Sequence, residues 1–455
     1  MLRNWRLIVI NILNFFKAGV DQPIISDVGQ IKSKYSKYRK EILVTIITLY
    51  GWGYTCRLAL SVVKKPLIDG GLFSIVDLGL VGSAYFYGYA LGKFLNGFLA
   101  DYANIKRFFT FGLITSGAIN ISMGLNQSII LWIVFWFLNG WVQGIGAPSC
   151  AIALTNWFSP KERGWYYGLW STAHAIGEGL TFIGTAALVD YFSWHAGFIG
   201  PGISLIIITI AGYRFLQDRP ETLGLPSVTD WKNEESVIQV SKNFKEVLQN
   251  QLKIIRYPSI WVLGLASATM YVTRYAINSW GVLYLQEARG YSLIEAGGLV
   301  GLNTFTGIIG CVAYGYISDK YFSARRPPVT LMFGIAEIAS LFLIFYGPQS
   351  TFVLTIAFII YGFSLSGLLA VLGGLFAIDI APKNITGAAM GFIGLFSYIG
   401  AAIQEKVSSL LIKSTKLGTN SENIYDFDSV IIFWISASVI SFFLSLSLWN
   451  HKIKD

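Results

Sequence analysis

Arg57 lies inside the apolar run 42–63 and Arg274 inside the apolar run 260–285. Their settings match: Tyr54-Thr-Cys-Arg57 and Tyr271-Val-Thr-Arg274, 217 positions apart. An arginine at bilayer depth costs about 2.5 to 3.5 kcal/mol on insertion scales and ordinarily faces a water-filled path. Guanidinium groups are planar forks of donors that fit phosphate or carboxylate oxygens. Helical spacing puts Tyr50, Tyr54 and Arg57 on one face, and Tyr271, Arg274 and Asn278 on another. The two arginines therefore predict one central site that selects negative charge. The opposing reading, side chains snorkelling to an interface, fits poorly because apolar residues flank each of them on both sides.

Other ionisable residues in apolar runs extend the pattern. Lys93, one turn beyond Tyr89, is a third cation that either meets an anion or pairs with Glu178, Glu405 or Asp101. His174 is the one histidine well inside an apolar run; a lone histidine is commonly a satisfied core residue, and a charged imidazolium would add donors for an anion. Glu178, four residues on, shares a face with it and is a candidate partner for His174 or Lys93. Glu405 shares a face with Tyr398 and Ala402 and is a candidate acceptor for substrate hydroxyls. Tyrosines serve membrane proteins mainly as packing and interface residues, so only those beside a charge count as candidates. Cys56, Cys150 and Cys311 have no metal-ligand spacing, and neither metal nor cofactor is expected. No Gly-x-x-x-x-Gly-Lys-Ser/Thr loop or other catalytic constellation is present, so neither ATP-driven work nor enzyme chemistry is expected.

The elements that hold these residues are membrane helices. Of 455 residues 54% are hydrophobic and 13% charged, against about 25% charged in soluble proteins. Twelve apolar stretches recur between 43 and 449, each near the ~20 residues that cross hydrocarbon. Helices are the open-ended choice, since lipid satisfies no backbone group. With both termini cytoplasmic, 25 of the 34 Lys and Arg lie inside, five lie outside (Lys64, Lys65, Arg289, Lys413, Lys416) and four within spans. That bias is the positive-inside pattern; it accounts for the formal charge of +9 without nucleic acid. The expected divisions are a basic, amphipathic arm at 1–42, a six-helix half at 43–216, a polar central loop at 217–257, a second half at 258–449 and a tail at 450–455. Trp5, Ile8, Ile12 and Phe15 predict a helix on the inner surface, with Lys32, Lys34, Lys37, Arg39 and Lys40 near anionic headgroups.

The halves repeat. Gly97-Phe-Leu-Ala-Asp101 with Lys106-Arg107 matches Gly315-Tyr-Ile-Ser-Asp319 with Arg325-Arg326 at an offset of 218. Pro160-Lys161 before Gly164 and Gly168 matches Pro382-Lys383 before Gly387 and Gly391 at 222. Parallel repeats place a substrate site at their interface near the midplane. The Gly-x-x-x-Asp loops resemble the major facilitator superfamily. Within it, Arg57, Tyr89-Ala-Leu-Gly-Lys93-Phe94, Trp157-Phe-Ser-Pro-Lys-Glu-Arg-Gly164, Trp170-Ser-Thr-Ala-His174, Tyr271-Val-Thr-Arg274-Tyr275 and Gly394-Leu-Phe-Ser-Tyr398 resemble the organophosphate:phosphate antiporters, including bacterial hexose-phosphate carriers. The likeness runs from about 43 to 449.

The resemblance implies a twelve-helix, all-α membrane protein of two pseudo-repeats, bacterial and of the inner membrane. It implies import of a hexose phosphate against inorganic phosphate by alternating access. It gives Arg57 and Arg274 the phosphate and lines the cavity with Lys93, His174, Tyr50, Tyr54, Tyr89, Tyr271, Tyr361 and Tyr398; Asp101, Arg107, Asp319 and Arg325 belong to the gating loops. Where the family usually shows glycines after the helix 5 histidine, this chain has Glu178. Ala147, Ser171 and Phe376 depart from the glycerol-phosphate branch. Two alternatives stand: a glycerol-3-phosphate:phosphate antiporter, and a sensor of external hexose phosphate that signals through a kinase, using 1–40 or 217–257 as the contact. The expected state is a monomer in the lipid bilayer.

Overall fold

The computed structural model describes residues 15–234, 255–323, 325–376, 386–416 and 423–449. Most of the predicted surface helix, about half of the central loop and the tail lie outside these residues, as does the Pro382-Lys383 pair. Twelve helical rods are present among the described residues: α1 Val28–Asp69, α2 Ile75–Tyr102, α3 Ile105–Gly124, α4 Ile129–Trp157, α5 Pro160–Leu180 continuing to Tyr191, α6 Ala196–Gly212, α7 Pro258–Glu287, α8 Leu293–Tyr321, α9 Arg326–Tyr346, α10 Thr351–Ala370 with a π turn Val371–Leu375, α11 Thr386–Leu411 and α12 Asp428–Ser447. A hairpin of β1 Lys413–Lys416 and β2 Asn423–Asp426 joins the last two. The first rod begins at Val28, well before the expected boundary near 43, because Asp27 caps it by accepting from the Gly29 and Gln30 amides. Lys32, Lys34, Lys37, Arg39 and Lys40 of the basic arm thus belong to the first turns of α1.

The repeat is visible in how helices start and pack. Ser74 with Asp77 and Ser292 with Glu295 form capping boxes, reciprocal bonds that satisfy free amides at the first turns of α2 and α8. Their positions differ by the same 218. In the first half α2 and α4 touch through glycine: a Cβ on Gly140 would lie 2.1 Å from the Tyr85 carbonyl. In the second half a Cβ on Gly362 would lie 1.9 Å from the Asn303 carbonyl, so α8 and α10 approach equally closely. Small residues at such crossings drive helix association in lipid. Outward faces are apolar, with Ile207, Ile210, Ile309, Val312, Met332 and Phe443 exposed, as a bilayer requires.

The halves meet mainly toward one end, the end of Lys64 and Glu287. There Lys65 pairs with Glu287, the Ser83 hydroxyl donates to the Ala402 carbonyl at 2.9 Å, and Gly79 and Gly82 of α2 abut Ser409 and Glu405 of α11. The opposite end is that of Asp101 and Asp319, where Asp319 pairs with Arg326 of its own half at 3.0 Å. That end also carries a strap. The Asp218 carboxylate accepts from the Ile105 amide at 2.8 Å and the Gly19 amide at 3.3 Å. The Gln22 amide donates to Glu221 O and the Ile25 amide to Gly224 O, both at 2.9 Å. Gly224 takes φ +68 beneath the Pro23 carbonyl, a conformation open to glycine. Tyr35 stacks on Trp231 at 4.1 Å, and Arg39 pairs with Glu162 at 2.5 Å. Segment 17–27 is thereby fastened to the chain that leaves α6.

Candidate functional site

The centre is built on a break in α1. The rod is interrupted at Tyr54, between Val28–Gly53 and Thr55–Asp69, and a break in lipid leaves carbonyls that neighbours must satisfy. Gln143 donates to Gly53 O at 2.9 Å; Asn139 and Asn120 donate to Cys56 O at 2.8 and 3.0 Å. These amides from α3 and α4 fix the turn that carries Arg57. On the other half, α7 changes to a π turn at Ala276–Trp280, directly after Arg274 and Tyr275. Such turns widen a helix and often mark functional positions.

Arg57 is buried, 5% exposed, and among the described residues its guanidinium meets phenols. Its Nη2 donates to the hydroxyls of Tyr275 at 3.3 Å and Tyr398 at 3.4 Å. The guanidinium lies 4.3 Å from the Tyr89 ring centre, 4.9 Å from that of Tyr54 and 5.8 Å from that of Tyr85, within cation–π range. Among the described residues no carboxylate pairs with it, and its Nε has no hydrogen-bond partner. Arg274 differs. It is ion-paired with Glu178 of α5, whose other oxygen accepts from Asn278 Nδ2 at 3.2 Å. The predicted face of Arg274 and Asn278 thus exists, yet it is turned on a carboxylate of the chain itself. This corrects one expectation: Glu178 answers neither His174 nor Lys93 with an ion pair, but Arg274.

The remaining candidates separate into those at the centre and those elsewhere. Lys93 is exposed, its ammonium 5.4 Å from the Tyr398 ring centre, with no acidic partner among the described residues. His174 is half-buried, its ring 6.4 Å from that of Tyr54. Tyr271 packs on Tyr398 at 5.4 Å. Tyr50 lies at the edge, against Tyr54 and Trp170 at 5.6 and 4.9 Å. Tyr361 is not available as a lining residue: it is fully buried and its hydroxyl donates to the Thr273 carbonyl at 3.0 Å. Glu405 does not reach substrate hydroxyls either. It pairs at 3.4 Å with Lys64, which also donates to Ser279 at 2.8 Å and sits 3.3 Å over the Trp280 ring. Lys64 is therefore no outer-loop residue but a wholly buried cation. Of the loop residues, Asp319 pairs with Arg326 at 3.0 Å, Arg325 precedes α9 as its cap, Arg107 donates to Phe15 O at 2.8 Å, and Asp101 is exposed at the end of α2. Ser171 donates to Gly168 O of its own helix at 2.7 Å, and Phe376 is buried in the apolar core.

Sequence reasoning missed Tyr85, Tyr275 and the Lys64–Glu405 pair. Tyr85 lies one turn before Tyr89 and Tyr275 follows Arg274, so both were within reach of the spacing argument. Lys64 shares a face with Arg57 at i+7, the signal that separates it from a loop lysine.

A family model described as Major Facilitator Superfamily matches residues 42–404. Curated relatives include the membrane sensor protein UhpC of Escherichia coli (strain K12), 35% identical over 86% of this chain and 90% of its own. A probable hexose phosphate transport protein of Chlamydia trachomatis serovar D is 31% identical over 94% of each chain. A glycerol-3-phosphate transporter of Bacillus subtilis (strain 168) is 31% identical over 86% and 89%. Among solved structures, a bacterial homologue of the human lysosomal transporter Spinster, inward-facing and unoccupied, superposes with a TM-score of 0.72 at 16% identity, covering 92% of this chain and 99% of that one.

Proposed function

Because the chain belongs to the major facilitator superfamily, and within it to the organophosphate:phosphate antiporters, we propose that this multi-pass membrane protein imports a sugar phosphate of the glucose 6-phosphate class in exchange for inorganic phosphate. The observation that carries the reading is Arg57: a buried guanidinium at the junction of the halves, with phenols around it and no carboxylate of its own among the described residues. A phosphoryl group, at about −1.5 to −2 charges near neutral pH, supplies the missing counter-charge, and Lys93 and Arg274 stand beside it. The lysine-rich end faces the cytoplasm of a bacterial inner membrane by the positive-inside rule. The closed Lys64 end then faces outward.

Alternating access follows from the placement of the links between halves. Loading the centre neutralises it, the pairs at the Lys64 end separate, and the halves rock about the midplane. The hexose preference rests on the relatives, since Ser171 and Phe376 are spent on local packing. Uptake of labelled glucose 6-phosphate into phosphate-loaded proteoliposomes is the test. Exchange that glycerol 3-phosphate inhibits about tenfold less well, a difference of about 1.4 kcal/mol, is the expected result. Exchange with the reverse order keeps the antiporter and rejects hexose phosphate. Binding without exchange favours the sensor reading, which the similarity to a protein named a membrane sensor supports.

A further inference from the structure

We propose that Glu178 is a built-in anion that occupies Arg274 in the empty carrier, and that the phosphoryl group displaces it before the halves move. The inference rests on the reading of the centre as a phosphate site. Glu178 belongs to α5 of the first half; both groups that hold it, Arg274 and Asn278, belong to α7 of the second. One oxygen is paired with the guanidinium and the other accepts from Asn278 at 3.2 Å. The Arg274 and Glu178 side chains are 8% and 6% exposed. A carboxylate held by a guanidinium and an amide copies the way two oxygens of a phosphoryl group are held.

The matched arginines are thus unequal. Among the described residues Arg57 has no counter-charge and Arg274 has one, so the first negative charge of a ligand goes to Arg57. A phosphomonoester dianion carries roughly one charge more, and Arg274 is the adjacent cation: the Tyr275 hydroxyl accepts from Arg57 while its ring centre lies 5.4 Å from Arg274. Taking Arg274 from Glu178 breaks a charged link between the halves at the level of the site. The freed carboxylate would still be buried, and a buried charge that loses its partner is costly. Besides Arg274 and Asn278, the groups facing it are Tyr54 of α1, Tyr275 of α7, Tyr361 of α10, and His174 one turn earlier on its own helix. His174, as a donor, is the partner within reach. An empty carrier is latched and a filled one released, which makes exchange obligatory.

The test is phosphate affinity of the purified full-length protein, with inorganic phosphate as the probe, followed by calorimetry. Glu178→Gln removes the competing charge and keeps the shape. The expected result is phosphate binding tighter by about tenfold or more. Asn278→Ala, which loosens the hold on the carboxylate, should tighten binding in the same direction by less. A strut that only joins the helices would lower stability in both variants and improve affinity in neither. Unchanged or weaker affinity in a folded Glu178→Gln protein, with wild-type binding intact, overturns this inference alone; if that variant does not fold, Asn278→Ala is judged by the same criterion. Wild-type protein that binds no phosphate overturns both the inference and the function it rests on.

Discussion

Arg57 and Arg274 were legible because a charge in an apolar run stands out against everything around it. What they touch was not, because a partner on the other half has no fixed distance in sequence. Arg57→Lys should reduce phosphate exchange by more than about tenfold in liposomes with matched protein content, since an ammonium cannot reproduce the planar fork; wild-type rates would remove Arg57 from the site. Lys64 and Glu405 make a second test at this scale. Glu405→Gln strands a buried lysine, and breaking such a pair from one side costs about 3–5 kcal/mol. The Lys64→Gln, Glu405→Gln double variant should be closer to wild type in thermal unfolding than Glu405→Gln alone. Tyr361 shows the limit of reading by type. Tyrosine serves packing and recognition alike, and only the bond from its hydroxyl to Thr273 O tells which.

Helix periodicity revealed most of the rods, because apolar length is set by the membrane. It hid the break in α1, since no proline or charge marks Tyr54 and the cause lies in amides of α3 and α4. Gln143→Ala should leave Gly53 O unsatisfied at a cost of about 1–3 kcal/mol; lower thermal stability together with weaker phosphate affinity would show that the break positions Arg57. The start of α1 was hidden for the opposite reason: a basic helix beyond the membrane has no apolar signature. Its contact with α5 is sensitive to acid. Burial raises the Glu162 carboxyl, but bonds from Arg39 and the Ser159 amide, with the Arg39 and Lys232 charges, outweigh it and hold the group below its ordinary value. A depressed carboxyl contributes stability above its unfolded pKa, and that contribution is lost as pH falls through the folded one. Hydrogen exchange in the turns of α1 around Arg39, corrected for intrinsic rate, should be flat from pH 8 to about 5 and rise below roughly 4. In Glu162→Gln that rise should be absent.

The whole molecule was legible as two copies, from offsets near 218, because each copy must solve the same packing problem with the same small residues. The unequal treatment of the two arginines was not, since it depends on one glutamate with no counterpart in the repeat. The strap has a further consequence in time rather than in space. Residues 19–25 leave the ribosome before the membrane helices, yet the partners that hold them, Asp218 to Gly224, emerge only after all six helices of the first half. The buckle therefore closes when that half is complete and before α7 exists, so the half can become a finished body while the rest is still being made. Two separate polypeptides, divided within 235–254 and produced together in one cell, should then assemble into a working exchanger. Phosphate-loaded vesicles from such cells should take up sugar phosphate. Removing residues 15–27 from the first polypeptide should abolish that recovery more completely than it harms the unbroken chain.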